Sequence, residues 1–330
     1  MSAAPLLQVQ NLRVSFAGKE VVCGIDFSVA AGEKLALVGE SGSGKTVTAL
    51  SLLGLVQGAR TSGQAFFAAG PDEPQGTPSQ DLLALSEHDL RGIRGRDIAM
   101  IFQEPMTALN PLFSVGEQIS EVLQLKQGLS PAQAQAAAVG LLADTGIPEP
   151  ERRARAYPHQ LSGGQRQRAM IAMALACQPR LLLADEPTTA LDVSLRVQIL
   201  ELLASLQKRN GMAVLLITHD LNLVRHFADR IAVMENGLIV EQGKVADVFT
   251  NPQHPYTRKL MDSEPVRDVI ENPPAGDGPP VAQARELTVS YPVKLPGLKG
   301  WFKQGEFVAV QGASFSLPKG QTLGVVGESG

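Results

Sequence analysis

The sequence has little cysteine, no surplus of positive charge and no long apolar run. Its two cysteines, Cys23 and Cys177, lie far apart, so they form neither a metal-ligand spacing nor a disulfide framework, and a reducing cytoplasm fits them best. The longest clear apolar run, residues 169–177, is shorter than the roughly 20 residues that a membrane-spanning helix needs. Residues 1–8 lack the charged start and apolar centre of a secretion signal, so we do not expect export.

The charge balance and the composition exclude further classes of protein. Lys and Arg number 29 and Asp and Glu number 33, a net charge of −4, which argues against binding nucleic acid through a broad basic surface. With 44% hydrophobic and 19% charged residues, the chain is neither disordered nor fibrous. Its 330 residues allow about two globular domains.

Strand and helix patterns alternate along the chain, which favours a largely parallel sheet covered by helices. Apolar or alternating runs predict strands at residues 7–14, 21–29, 34–38, 98–102, 181–185 and 214–218. Helical spacing predicts helices at residues 47–55, 115–125, 131–145, 162–176 and 194–208, the second and third forming a separate helical layer. Residues 63–97, rich in Gly, Pro and Asp, are expected to be an exposed insertion, and Asn236-Gly237 predicts a hairpin.

The chain repeats part of its own sequence after a proline-rich stretch. Residues 263–280 lack apolar periodicity, so we interpret them as a flexible linker. Residues 12–16 (LRVSF) match residues 287–291 (LTVSY), and residues 39–42 match residues 327–330, both with the sequence GESG. The end of the chain therefore resembles its beginning.

A glycine-rich loop between a predicted strand and a predicted helix fits the phosphate-loop pattern G-x-x-x-x-G-K-[ST]. It consists of Gly39, Glu40, Ser41, Gly42, Ser43, Gly44, Lys45 and Thr46. The glycines let backbone N–H groups turn around phosphate oxygens, Lys45 would bridge the β and γ phosphates, and Thr46 would offer its hydroxyl to magnesium. The alternative is an ordinary glycine-rich turn.

Two further segments carry groups that could act together with this phosphate loop. Asp185 and Glu186 follow an apolar strand, where Asp185 could hold magnesium and Glu186 could polarise an attacking water, although a solvated strand end is the alternative. The segment Leu161, Ser162, Gly163, Gly164 and Gln165 presents a hydroxyl and free N–H groups at a helix start, with an ordinary helix cap as its alternative. Because Arg166-Gln167-Arg168 and then Glu186-Pro187-Thr188 follow it, the segment matches the signature motif of ATP-binding cassette (ABC) proteins.

The order and spacing of these motifs resemble an ABC nucleotide-binding domain over about residues 7–262. The resemblance implies an α/β P-loop NTPase fold with a mixed sheet core, an antiparallel β subdomain and a helical subdomain. It also implies an adenine-stacking aromatic at Phe16, a Q-loop glutamine at Gln103, a D-loop residue at Asp192 and a switch histidine at His219. A core aromatic and a satisfied edge histidine are the alternatives for Phe16 and His219.

The resemblance implies ATP and Mg²⁺ as ligands and a role for each motif residue. Lys45, Ser43 and Gly44 would bind phosphate, whereas Thr46, Gln103 and Asp185 would hold magnesium. Glu186 would be the general base, and His219 would contact the γ-phosphate. In this family two domains close head to tail, so Ser162, Gly163 and Gly164 would serve the opposite site.

Two strings resemble the oligopeptide/dipeptide importer group, namely residues 99–111 and residues 251–258. This implies transmembrane permease subunits and a periplasmic substrate-binding protein as partners, at the cytoplasmic face of the inner membrane, with no nucleic acid. The internal repetition resembles the fused ATPases of that group, such as glutathione and microcin C importers, with the microcin C type nearer. No cysteine follows Cys177, so we expect no iron-sulfur cluster.

We therefore expect three segments: a complete nucleotide-binding domain at 1–262, a linker at 263–280 and an incomplete second domain at 281–330. On this interpretation the chain binds Mg-ATP weakly and hydrolyses it only when two copies, or a second ABC domain, pair with the first domain. Residues from Val281 onward should be poorly packed. The alternatives are a soluble ABC ATPase that acts on ribosomes or DNA, and an inactive fragment that acts only as a binding module.

Overall fold

Apolar runs build a six-stranded sheet at the centre of the first of two units. The computed structural model describes residues 5–70, 77–104, 108–189, 191, 193–262, 279–294 and 304–326. The two units are Met1–Glu264 and Pro265–Gly330. The parallel strands are β3 (Lys34–Val38), β6 (Ile98–Ile101), β7 (Leu181–Asp185), β8 (Ala213–Thr218) and β9 (Arg230–Glu235). The antiparallel strand β10 (Leu238–Lys244) joins the edge, which gives the order β10-β9-β3-β8-β7-β6. This confirms the prediction of a largely parallel sheet with a hairpin at Asn236-Gly237.

A second, antiparallel sheet lies beside the first and has the order β2-β1-β4-β5. Its strands are β1 (Leu7–Phe16), β2 (Lys19–Val29), β4 (Ala59–Phe67) and β5 (Gln80–Asp81). The alternating apolar residues of β1 and β2 face a core that they share with β3 and with helix α1 (Lys45–Leu52).

The interpretation of residues 63–97 as an exposed insertion is wrong for much of that stretch. Strand β4 pairs along β1, and helix α2 (Glu87–Ile93) buries Leu90 and Ile93. The glycines and prolines that suggested exposure cluster at residues 70–74, and residues 71–76 lie outside the described part of the chain. Burial of a few apolar side chains on either side therefore outweighs the polar composition of the whole stretch.

The helical layer is present as predicted. It contains α3 (Val115–Gln127), α4 (Pro131–Asp144), α5 (Pro150–Ala154) and α6 (Gly163–Ala174), with a short 3-10 turn at Pro158–Gln160. Ser114 and Ser130 start α3 and α4 with capping boxes, and Ile119, Ala138 and Ala172 pack in one cluster between the helices. Helices that flank the main sheet are α7 (Val193–Asn210), α8 (Leu221–Phe227), α9 (Val245–Thr250) and α10 (Pro255–Asp262). None of the described helices is long and apolar enough to cross a membrane.

The second unit is a ribbon of two antiparallel strands, β11 (Ala282–Lys294) and β12 (Gln304–Leu317). It repeats the ribbon of β1 and β2, since Leu287 pairs with Ala313 as Leu12 pairs with Ile25. The residue before each leucine has a left-handed backbone, with φ of 46° at Asn11 and 48° at Glu286.

In both ribbons, the backbone N–H of that left-handed residue donates to a side chain of the opposite strand. The N–H of Asn11 donates to Asp26 Oδ1 and that of Glu286 donates to Ser314 Oγ, each at 2.9 Å. Tyr291 and Phe307 are 58% exposed, which agrees with the poor packing that the sequence predicts.

The turn between β9 and β10 supports the loop that follows β3. Its residues Asn236 and Gly237 have φ of 49° and 82°, the left-handed pair of a tight hairpin turn. The N–H of Gly237 donates to the carbonyl of Ser43 at 3.1 Å, and its carbonyl accepts from Cys23 N at 2.8 Å. A Cβ at Gly237 would lie 2.5 Å from the Val21 carbonyl oxygen, so only glycine fits without movement.

We expect Gly237→Ala to destabilise the first unit more than Gly211→Ala. Both glycines have left-handed backbones, but a Cβ at Gly211 would meet nothing within 4 Å. The control should therefore lose about 1 kcal/mol for its backbone conformation alone, and Gly237→Ala about 3 kcal/mol because it also displaces the Val21 backbone. Urea unfolding followed by circular dichroism measures both losses. Equal losses would contradict the close approach at Gly237.

Candidate active site

The phosphate loop connects the end of β3 with the start of α1. A Cβ at Gly39 would lie 2.1 Å from the Met234 carbonyl oxygen, and one at Gly44 would lie 2.8 Å from the Val21 carbonyl oxygen. Gly42 and Gly44 have φ of 83° and 104°. The glycines at these positions thus let the loop lie directly against β9 and β2, while residues 40–42 remain exposed.

Lys45 is buried and folds back over its own loop. Its ammonium donates to the carbonyl oxygens of Gly39 and Glu40, each at 2.8 Å, and to Ser43 Oγ at 3.3 Å. Burial lowers the pKa of Lys45, and the carboxylates of Glu186 and Asp185 oppose that shift. A positive charge is therefore held where it has few solvent contacts, which strengthens its attraction for an anion.

Asp185 at the end of β7 meets the first turn of α1. Thr46 Oγ1 donates to Asp185 Oδ1 at 3.0 Å, and Asp185 is only 2% exposed. Burial raises the pKa of this carboxyl to about 6, and the charge of Glu186 adds to the rise, while Thr46 and Lys45 limit it. A hydroxyl and a carboxylate are the oxygen ligands that Mg²⁺ prefers.

The described residues contain no group of three or more His, Cys, Asp or Glu side chains that could hold a metal ion. A cation at Thr46 and Asp185 would thus complete its shell with phosphate oxygens and water, as Mg²⁺ usually does at nucleotide sites. The Thr46 hydroxyl and the Asp185 carboxylate therefore fit Mg²⁺.

Two side chains that are distant in sequence, Gln103 and His219, and the nearby Thr189 converge on the Glu186 carboxylate. Its Oε2 accepts from Gln103 Nε2 at 3.1 Å and from Thr189 Oγ1 at 2.8 Å, and its Oε1 lies 3.1 Å from His219 Nδ1. Glu186 itself has a left-handed backbone, with φ of 44°, a conformation that costs energy outside glycine. The structure thus joins Gln103, Glu186 and His219, as the motif order implies. The amide of Gln103 contacts Glu186 here rather than Thr46 or Asp185.

The sequence patterns do not single out Thr189 as a site residue. Thr189 is the third residue after the predicted base Glu186, a spacing at which a side chain can bond back across a turn. That spacing is the signal that could have identified Thr189.

The signature segment lies in the helical layer, at the start of α6. Ser162 and Gln165 bond to each other in a capping box, at 3.3 Å in both directions, and Ser162 and Gly163 are exposed. Leu161 and Gly164 are buried. The hydroxyl and the first amides of this helix therefore face away from the core, and one buried side chain links the helix to the site: Gln167 Nε2 donates to the Pro187 carbonyl at 2.5 Å.

Two further predicted site residues are Phe16, which the structure describes, and Asp192, which it does not. Phe16 is half-buried at the end of β1 and packs against the first unit's core. Asp192 lies outside the described residues, so its predicted place at a domain interface stays a prediction.

Comparison with known proteins agrees with this architecture. The ABC transporter family profile matches residues 22–189, and the profile of the oligopeptide/dipeptide transporter C-terminal region matches residues 240–286. The chain is 49% identical to the peptidoglycan transport ATP-binding protein YejF of Agrobacterium fabrum, over 99% of the chain and 58% of that protein. It is 43% identical to the glutathione import ATP-binding protein GsiA of Escherichia coli O157:H7, over 100% of the chain and 57% of that protein. The chain therefore spans just over half the length of these relatives.

Among solved structures, the dimeric ATP-binding cassette MJ0796 with bound ADP and Pi is similar. The TM-score is 0.62 at 29% identity, over 72% of this chain and 98% of that one. The fold expected from the sequence, an ABC nucleotide-binding domain with mixed sheet, antiparallel subdomain and helical subdomain, is thus confirmed.

The raised pKa of Asp185 predicts a stability cost that depends on pH. Its pKa is about 6 in the folded protein against an ordinary value of 3.8, so the folded state binds the proton more tightly. The cost of ionising this carboxyl is complete above pH 6 and disappears as the pH falls toward 4. Without metal or nucleotide, we expect Asp185→Asn to be more stable than the unmodified chain at pH 7.5, by up to roughly 3 kcal/mol.

Thermal unfolding at pH 7.5, 6 and 5 measures this difference, which should shrink as the pH falls. Asp144→Asn is the matched control, since Asp144 forms an exposed pair with Arg209 worth about 0–1 kcal/mol. A melting temperature of Asp185→Asn that is equal to or below that of the unmodified chain at every pH would refute the buried-charge explanation.

Proposed function

This chain belongs to the ABC transporter family, and from that membership we propose that it binds and hydrolyses ATP to drive import of peptides or peptide-like compounds. The observation that carries the proposal is the convergence of Gln103, Thr189 and His219 on the Glu186 carboxylate, beside the buried Lys45 and Asp185. A base, a cation and a metal-binding carboxylate close to one another are the parts that phosphoryl transfer to water requires.

Each residue has one task in this proposal. Lys45, with Ser43 and Gly44, binds the phosphates, because its ammonium is the buried positive charge of the loop. Thr46 and Asp185, with Gln103, hold Mg²⁺, which when bound neutralises phosphate charge. Glu186 accepts the proton of the attacking water, and His219, which lies beside that carboxylate, contacts the γ-phosphate. Phe16 stacks on the adenine.

A second domain is needed to complete the site. Ser162 and Gly163 are exposed at the start of α6, and their helix start carries the partial positive charge that binds phosphate. The similar cassette MJ0796 with ADP and Pi is dimeric. We infer that the signature segment, with Asp192 at the interface, serves the ATP bound by the phosphate loop of a partner domain.

Import of peptide-type compounds is supported by the C-terminal region and by an apolar surface. Residues 240–286 match the oligopeptide/dipeptide transporter region, and similar proteins carry names of peptidoglycan and glutathione import. Leu112 and Phe113, after the Q-loop, are 79% and 51% exposed. Exposed apolar side chains of this kind mark interaction surfaces, so we assign them to a permease subunit at the cytoplasmic membrane face, which a periplasmic binding protein would supply with substrate.

The repeated ribbon supports a tandem arrangement. The pairing of β11 with β12, the left-handed Glu286 and its contact with Ser314 repeat those of β1 and β2. We infer that residues 1–262 form the first nucleotide-binding domain, residues 263–280 a linker, and residues 281–330 the opening ribbon of a second domain. Repeat residues 327–330 lie outside the described part of the chain.

Two alternatives make different predictions. A soluble ABC ATPase that acts on ribosomes or DNA would have the same site but no permease, and the oligopeptide/dipeptide region at residues 240–286 favours transport. A binding module would have no use for the three side chains, of Gln103, Thr189 and His219, that contact the Glu186 carboxylate, so the variant below separates it from an ATPase.

We expect Glu186→Gln to lower kcat by about 100-fold or more, because it removes the general base, while Mg-ATP binding is retained. The variant should form dimers in Mg-ATP.

In the unmodified chain, specific activity should rise with protein concentration, because each site needs the signature segment of a partner. Phosphate release and light scattering measure these effects.

Glu121→Gln is the control, because Glu121 is an exposed residue of the helical layer. Activity that does not depend on concentration would contradict pairing between copies. Unchanged turnover in Glu186→Gln would contradict the proposed base.

A further inference from the structure

The C-terminal segment of the first unit reaches back to the phosphate loop. Residues 251–258 follow α9 and lead into α10, within the part of the chain that matches the oligopeptide/dipeptide transporter region. Within this segment, the hydroxyl of Tyr256 accepts a hydrogen bond from the backbone N–H of Glu40 at 3.0 Å. Glu40 is the second residue of the phosphate loop, so a side chain far along the chain contacts the loop backbone.

The segment is built to hold Tyr256 in place. The carboxylate of Glu241 accepts from the backbone N–H groups of Gln253 and His254, at 2.8 and 3.0 Å. The N–H of Tyr256 donates to His254 Nδ1 at 3.3 Å. A strand of the main sheet, β10, thus supplies the carboxylate that fixes the backbone immediately before the tyrosine.

The tyrosine ring is also fixed by packing. Tyr256 is 5% exposed and lies in a cluster with Ala36 and Val38 of β3 and Val233 of β9. Burial raises the pKa of its hydroxyl further above neutral pH. Because β3 ends where the phosphate loop begins, the ring and the loop share one rigid support.

The backbone of Glu40 is held on both sides of its α-carbon. Its N–H donates to Tyr256, and its carbonyl oxygen accepts from the Lys45 ammonium at 2.8 Å and from Ser43 N at 3.3 Å. The exposed pair between Lys259 and Glu40, at 3.5 Å, adds little because water screens both charges. The hydroxyl of Tyr256 thus joins the C-terminal segment to the backbone of the loop that carries Lys45.

We propose that Tyr256 is a positioning residue for the phosphate loop: its hydroxyl holds the Glu40 peptide so that the loop and Lys45 keep the geometry that receives the nucleotide phosphates. This rests on the proposed ATP site. Without the hydroxyl, the partly buried Glu40 N–H loses its acceptor, and the loop moves to satisfy it. Glu186 and its partners stay in place, so binding is affected and the chemical step is not.

Tyr256→Phe tests this, because it removes the hydroxyl and keeps the ring. We expect KM for Mg-ATP to rise about 3- to 10-fold with kcat within twofold, the pattern of a lost binding contact. In the nucleotide-free protein, the amide of Glu40 should exchange with deuterium faster, with the change confined to peptides that cover residues 39–46. Tyr291→Phe, which removes a hydroxyl from the exposed ribbon of the second unit, should change neither quantity.

The two readouts separate the inference from the function on which it rests. If the unmodified chain neither binds nor hydrolyses Mg-ATP, the proposed function fails, while amide exchange still tests the contact between Tyr256 and Glu40. If the unmodified chain binds Mg-ATP and Tyr256→Phe changes neither KM nor exchange at residues 39–46, the inference is overturned. It is also overturned if exchange rises throughout the first unit, since Tyr256 would then only stabilise the fold.

Discussion

The site depends on two charged groups, the Lys45 ammonium and the Asp185 carboxylate, that the fold removes from water. Burial opposes the charge of both, lowering the pKa of Lys45 and raising that of Asp185. Among the described residues, neither charge has a direct ion pair of its own: Lys45 donates to carbonyls of its loop, and Asp185 accepts from the Thr46 hydroxyl. A ligand that brought both phosphate and a divalent cation would satisfy both groups together.

The surrounding fold holds this unfavourable arrangement in place from several sides. The hairpin turn at Gly237 bonds to Ser43 from the β9–β10 edge, the Thr46 hydroxyl ties α1 to β7, and Tyr256 holds Glu40 from the C-terminal segment. These contacts come from elements that are far apart in sequence, so the loop conformation depends on the completed sheet. A phosphate loop cut out as a peptide would not keep it.

Much of the fold and of the site could be predicted from local patterns. The apolar strand at 181–185, the helices with Ser at their caps and the glycine spacing of the phosphate loop are signals within a few residues. The prediction failed at residues 63–97, where Leu90 and Ile93 are buried by a tertiary contact that outweighs a polar composition. Local patterns do not reveal Tyr256 as a site residue for the same reason, because only the folded chain brings it to the Glu40 N–H, whereas Thr189 lies three residues from its partner Glu186.

The repeated ribbon places a constraint on how the chain folds. Strand β4 pairs with β1, and β11 presents the same left-handed kink and the same pairing pattern as β1, so β4 has two candidate partners while the chain collapses. The chain between β4 and β11 is roughly five times longer than that between β1 and β4, which favours the nearer partner by about 1.4 kcal/mol of loop-closure entropy. That margin is small, so correct assembly relies on β1 and β4 meeting first. Synthesis from the N-terminus ensures this order, because β4 leaves the ribosome more than 200 residues before β11.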